Sequence, residues 1–139
     1  MNIVKVTLDN NIELLEQFIL KIGIAAESFR YYNSRPISVI KNHLVTLLLI
    51  DNENPIAYGH LDKENEDVWL GICVLSEYSR KGYGKKMMNE LIIEAKELHL
   101  SNIVLTVDKD NFSAINLYKK MNFFKVGESN NYYKYQYNL

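Results

Sequence analysis

Apolar and polar residues alternate from position 2 to position 8, the period of a half-buried strand. After the turn-forming run Asp9-Asn10-Asn11 the period lengthens. Ile12, Leu15, Phe18, Ile19 and Ile22 recur at helical spacing, behind a polar cap. Gly23 interrupts this stripe. Residues 25–32 read as a second short helix, stopped ahead of Pro36 because helical backbone is disfavoured before proline. Residues 44–50 are rich in Leu, Val and Ile, as a strand is. The polar stretch 51–55 is a turn, 56–61 a strand, 62–67 a second turn and 68–74 a third strand. Such short connections predict an antiparallel meander.

From 83 to 99 the period returns to 3.6. Met87, Met88, Leu91, Ile92, Ala95 and Leu98 form an apolar stripe, with lysines and glutamates outside it. Residues 103–107 form a short apolar strand, 113–120 a helix, and 123–126 the start of another strand. The alternating tyrosines of 132–137 close a last one. The predicted order is β-α-α-β-β-β-α-β-α-β-β. A strand, a long helix and a strand in succession imply a right-handed parallel crossover. The fold class is therefore mixed α/β (α+β), with about seven strands.

The 139 residues suit one compact domain spanning 1–139. A net charge of −1 gives no general electrostatic case for nucleic acid. The one cysteine, Cys73, sits in an apolar run and reads as a small buried hydrophobe, which suits a reducing cytoplasm. The first residues lack the apolar block of a secretory signal, and 44–50 is too short for a membrane span. No ligand set points to a metal.

Chemistry enters between the third strand and the long helix, at Ser79-Arg80-Lys81-Gly82-Tyr83-Gly84-Lys85-Lys86. Two glycines one residue apart let backbone approach a ligand closely. The helix that follows starts with unpaired N–H groups and a partial positive charge, which suits an anion. Arg80, Lys81, Lys85 and Lys86 add positive charge suited to a pyrophosphate. The run matches neither the dinucleotide fingerprint, since position 87 is Met, nor a P-loop.

This loop resembles the pyrophosphate loop of the GNAT acetyltransferases, Gln/Arg-x-x-Gly-x-Gly/Ala. Gly82 and Gly84 fill its small-residue slots, and Ser79 stands in the first slot. A second block, from Asn111 and Ala114 through Tyr118 to Asn122-Phe123, is similar to the family's Asn-x-x-Ala-x-x-x-Tyr-x-x-x-Gly-Phe. Asn122 replaces the glycine, and Asn tolerates the left-handed backbone that ends a helix. The resemblance covers residues 44–127.

The resemblance implies a largely antiparallel sheet with a central, splayed parallel pair, 68–74 and 103–107, and helices on both faces. It implies acetyl-CoA as the acyl donor. Backbone of Ile72, Cys73 and Val74 would pair with the pantetheine arm. Ser79, Arg80, Lys81, Gly82, Tyr83, Gly84 and Lys85 would hold the pyrophosphate, and Asn111 and Ala114 would lie beside the pantetheine. Tyr118 matches the proton donor to the leaving thiolate. Family members often place a Glu base on the strand 68–74, or use a water relay, and here the strand carries no carboxylate at 69–73. His60 is the nearest candidate base. Tyr58, His60 and Asp62 alternate on one face, and a carboxylate close to His60 would raise its basicity. His43 and His99 read as structural.

Phe29, Arg30, Tyr31 and Tyr58 are the expected acceptor contacts: aromatic rings stack on sugar faces, and Arg30 pairs with carboxylate or phosphate. The expected activity is acetyl transfer to a primary amine of a small molecule, with an amino sugar as one form, by direct attack in a ternary complex. A catalytically weak acetyl-CoA-binding protein and a protein or peptide N-acetyltransferase are the alternatives. The expected partners are a small-molecule amine, with no nucleic acid and no membrane, and a homodimer is an open assembly.

Overall fold

A computed structural model describes residues 1–139. Seven strands form one sheet: β1 (Asn2–Lys5), β2 (His43–Asp51), β3 (Asn54–Glu64), β4 (Asp67–Val74), β5 (Asn102–Asp108), β6 (Phe124–Glu128) and β7 (Tyr132–Asn138). Three α-helices connect them: α1 (Ile12–Lys21), α2 (Tyr83–Glu97) and α3 (Phe112–Lys120). The strand order is β1-β2-β3-β4-β5-β7-β6. Every pairing is antiparallel except β4 with β5, which sit side by side because α2 carries the chain back across the sheet.

The two apolar stripes read from the sequence cover opposite faces. Met87, Met88, Leu91 and Ala95 of α2 pack on Leu47, Leu49 and Leu61, joined by Ile115 and Tyr118 of α3. Leu15 and Phe18 of α1 pack on Leu48, Ile50 and Tyr58. Successive residues of β2 thus enter different cores, as the two-residue strand period demands. Leu91 is fully buried, and truncating such a side chain to alanine costs about 2–5 kcal/mol.

The expected second helix at 25–32 is not an α-helix. The segment forms two short 3-10 turns, Gly23–Glu27 and Tyr31–Asn33, and a third covers Ile37–Asn42. Long-range bonds override its weak local preference. Arg30 binds Asp108, Tyr32 binds Tyr58, and Phe29 packs on the Tyr58 ring. Asn122 does adopt the left-handed backbone, at φ 71°, directly after α3. Phe123 N–H then donates to the Tyr118 carbonyl at 2.9 Å, closing the helix end.

Candidate active site

β4 and β5 share a single registered pair, Trp69 with Val104. Beyond it they diverge. β4 stays bound to β3 through Ala57 and Val74, while β5 follows β7 along its whole length. The edge of β4 that faces β5 is therefore left without a strand partner from Leu70 to Val74. Unpaired backbone of this kind can bind an extended chain as an added strand. A cavity of about 930 Å³ fills the gap, walled by Leu70, Ile72, Cys73 and Val74 on one side and Leu105, Thr106 and Val107 on the other.

One end of the cavity is built from main chain. Arg80 (φ 62°) and Gly82 (φ 85°) both hold left-handed backbone, which turns the chain sharply into α2. No side chain caps that helix, so its first N–H groups face open space. A Cβ placed on Gly82 would meet nothing within 4 Å. Its glycine is therefore required by φ rather than by crowding. Ser79, Arg80, Gly82, Tyr83, Gly84 and Lys85 all line this end. Lys81 does not: its ammonium lies 5.7 Å over the Tyr78 ring. By contrast α3 is capped, with Asn111 Oδ1 accepting from the Ala114 N–H at 3.3 Å. The side chain of Asn111 is thus partly committed to the fold, although Asn111 and Ala114 both border the cavity.

The middle of the cavity carries two polar atoms from different strata of the fold. Tyr118 of α3 is buried, and burial pushes its phenol well above the ordinary tyrosine range, with Cys73 adding in the same direction. It is therefore a neutral donor. Burial likewise pushes the Cys73 thiol up to about 12, so this cysteine is no nucleophile at neutral pH. His60 of β3 is also buried. Its Nδ1 bonds the Tyr58 hydroxyl at 2.6 Å, and the Tyr58 hydroxyl bonds that of Tyr32 at 2.7 Å. No buried side-chain nitrogen or oxygen lacks a partner. His60 Nε2 and Tyr118 Oη make no bond within the chain, and both residues line the cavity, so these are the atoms presented to it.

The expected help from Asp62 to His60 is absent. Asp62 faces Tyr31, whose hydroxyl lies 3.5 Å from Oδ2. Burial, followed by His43 and Arg35, holds the His60 imidazole well below its usual pKa. His43, read from sequence as structural, belongs to this cluster. Its ring lies 4.5 Å from that of His60, its Nε2 bonds Tyr31 Oη at 2.7 Å, and its Nδ1 bonds Thr46 Oγ1 at 2.8 Å. Burial lowers His43 to about 4. In the β2–β3 register Thr46 stands opposite His60 and His43 opposite Asp62, with register shifts at Leu49/Ile50 and at His43/Val45. A count from the turn alone would put Thr46 opposite Gly59, so the sequence held no simple signal for this cluster.

The far end of the cavity is lined by Phe29, Arg30, Tyr31, Arg35, Asp62 and Trp69, with Asp108 on the β5 side. Tyr58 is not among them. It is fully buried behind His60, because Phe18, Phe29 and Tyr32 close over its ring. The expected substrate contact at Tyr58 is thereby corrected to a support for His60. Arg30 is also engaged: its guanidinium meets both Asp108 oxygens at 3.0 Å and bonds the Glu27 carbonyl. Arg35 has no carboxylate partner: its guanidinium donates to the Tyr31 carbonyl at 3.1 Å and lies 4.3 Å over the Tyr31 ring. No cluster of three or more His, Cys, Asp or Glu side chains is placed to hold a metal. No helix is long and apolar enough to cross a membrane.

Three comparisons bear on this architecture. The family model described as Acetyltransferase (GNAT) family matches residues 13–123. The spermine/spermidine N(1)-acetyltransferase of Bacillus subtilis is 39% identical over 69 residues, 48% of this chain and 45% of that protein. The [ribosomal protein bS18]-alanine N-acetyltransferase of Haemophilus influenzae is 32% identical over 90 residues, covering 64% and 61% of the two chains. The chain thus spans about half the length of the curated relatives it matches. Among solved structures, the PaiA N-acetyltransferase of Thermoplasma acidophilum in complex with coenzyme A superposes with a TM-score of 0.78 at 17% identity, over 100% of each chain. At that identity the likeness establishes the fold.

Proposed function

The chain belongs to the GNAT acetyltransferase family, and on that premise we propose that it transfers the acetyl group of acetyl-CoA to a primary amine of a small molecule. The observation that carries this reading is the β4–β5 gap: one registered pair, an unpaired edge, an uncapped helix start at one end and two open polar atoms midway. These residues fit the donor. The N–H groups at the start of α2, with Arg80 and Lys85, suit its diphosphate. The free edge of β4 at Ile72, Cys73 and Val74 suits its amide-bearing arm. When bound there, the thioester supplies an activated acetyl carbonyl.

The residues then divide the proton work. The acceptor must arrive as a neutral amine. His60 Nε2 accepts a hydrogen bond from it and takes its proton as the nitrogen–carbon bond forms, when the amine becomes acidic. An imidazole held neutral by burial is always free to accept. As the carbon–sulfur bond breaks, Tyr118 Oη donates its proton to the sulfur. The products are an amide and a free thiol. Exchange with solvent then returns a proton from His60 to Tyr118.

The acceptor end favours a molecule with cationic groups besides the neutral amine that reacts. Asp62, Glu64 and Asp108 border it with Arg30 and Arg35, which leaves one carboxylate in excess. The Arg30–Asp108 pair joins opposite walls of the cavity, and this narrowing suits a small acceptor better than a peptide. Phe29 and Tyr31 would take an amino sugar against their rings, but Arg30, the anchor for a nucleotide phosphate, is already matched by Asp108. The acetylation of spermine or spermidine by a relative supports a polyamine as one acceptor to try. A lone buried cysteine suits a reducing cytoplasm as the place of action.

The test is acetyl-CoA consumption across polyamines, amino sugars, amino acids and peptides, with His60→Gln beside the wild type. Turnover on at least one small amine is expected, with kcat about 100-fold lower in the variant and the KM for acetyl-CoA little changed. Saturable acetyl-CoA binding with no turnover on any amine would instead make the chain a binding protein.

A further inference from the structure

We infer that Gly71 is a positioning residue, whose missing side chain makes the space on β4 into which β3 lays the His60 imidazole. The inference rests on the proposed role of His60. In the register of β3 and β4, His60 stands directly opposite Gly71. A Cβ at Gly71 would lie 2.6 Å from His60 Nε2 and 3.0 Å from Nδ1, and would also meet Cε1. Carbon–nitrogen contacts that short do not persist, so the ring would have to move.

The ring has nowhere equivalent to go. Tyr31 and His43 cover it with centroids at 4.5 Å each. Its Nδ1 is tied to Tyr58 Oη at 2.6 Å, and Tyr58 is itself fully buried. The imidazole is thus enclosed by two rings and a hydroxyl, and Gly71 leaves open the space beside β4. Moving the ring off Gly71 breaks the Tyr58 bond or drives it into Tyr31 and His43. Either way Nε2 leaves the line of the gap.

This arrangement suits a strand β4 that carries no carboxylate from Val68 to Val74. Where β4 presents Gly71, the imidazole of β3 lies over it and fills the place a β4 side chain would take. The proton acceptor thereby comes from the neighbouring strand. Gly59 provides a contrast. Its added Cβ would meet Leu91 Cδ1 and Met87 Sδ, each at 2.8 Å. That glycine admits α2 to the sheet on the other face and bears on packing alone. Gly71 admits an imidazole bordering the cavity.

The experiment compares wild type, Gly71→Ala, His60→Ala and the double variant, reading kcat, acetyl-CoA KM and the melting temperature. A displacement near 1 Å at a reacting group can cost about 100-fold. The expected result is a kcat roughly 10- to 100-fold down in Gly71→Ala with acetyl-CoA KM within about twofold, and less than about a twofold further change when Gly71→Ala is added to His60→Ala. A Gly71→Ala loss equally large in the His60→Ala background would mean a general packing defect and would overturn the inference. So would an unchanged kcat in Gly71→Ala while His60→Ala is impaired, and that outcome leaves the proposed function standing. An unimpaired His60→Ala would remove the proposed base, and this inference with it. Should Gly71→Ala fail to fold, the double variant decides: recovered folding supports the clash with the imidazole, and continued failure overturns it.

Discussion

The two ends of the cavity are built on different principles. The end proposed to take the phosphates is main chain: an uncapped start to α2, left-handed backbone at Arg80 and Gly82, and cationic side chains around it. The end proposed to take the acceptor is side chain: His60, His43, Tyr31, Tyr32, Tyr58 and Asp62 hold one another through bonds of 2.6 to 3.5 Å and ring contacts. The first kind of site depends on a short stretch of sequence with the right φ angles. The second depends on residues from three separate segments meeting in register. Substitutions should therefore act differently at each end, with the transfer step between them.

The largest effect belongs between the ends. Tyr118→Phe keeps the ring and removes the hydroxyl proposed to protonate the sulfur. We expect kcat to fall about 100-fold or more, while acetyl-CoA affinity stays within about twofold. Equal losses in affinity and turnover would merge the transfer step with the phosphate end.

The next effect falls on main chain. An alanine at Gly82 has open space around it but the wrong φ, at a cost of about 1–2 kcal/mol. Acetyl-CoA binding should weaken by roughly 10-fold in Gly82→Ala, with kcat at saturation nearly intact. Titration calorimetry beside initial rates separates the two.

A smaller effect distinguishes the acceptor end by its titration. The fold holds His43 at about 4 and His60 well below the usual 6.5, whereas both take up protons near 6.5 once unfolded. The unfolded chain thus binds more protons below pH 6.5. The stability contributed by the neutral pair is complete above that pH and is lost as pH falls toward 4 and beyond. Thermal melts should show Tm dropping by roughly 5 °C or more between about pH 7 and pH 5. The drop should shrink in a variant carrying glutamine at both histidines. The smallest effect is at Lys81, whose ammonium lies over Tyr78 outside the cavity. Lys81→Ala should change acetyl-CoA affinity by less than about threefold, against a larger loss for Arg80→Ala.

The same contrast explains what was legible in the sequence. All seven strands and the three long helices followed from apolar period. The loop around Gly82 and the block from Asn111 to Phe123 were readable because each is local. Asn122 took the left-handed backbone its side chain allows. The acceptor end was harder to read. Residues 25–32 have weak helical preference and were fixed by distant partners, Asp108 and Tyr58. Tyr58 looked accessible from strand alternation, but α1 and the segment behind it bury that face. His43 and Gly71 gain their place only from strand register, which periodicity alone does not give.

The most direct measurement is a crystal structure with coenzyme A bound. The account predicts the diphosphate on the N–H groups from Gly82 to Lys85, the pantetheine arm along the free edge of β4, and the sulfur within hydrogen-bond reach of Tyr118 Oη. A diphosphate seated elsewhere, or a sulfur remote from Tyr118 with the β4–β5 gap closed, would contradict it.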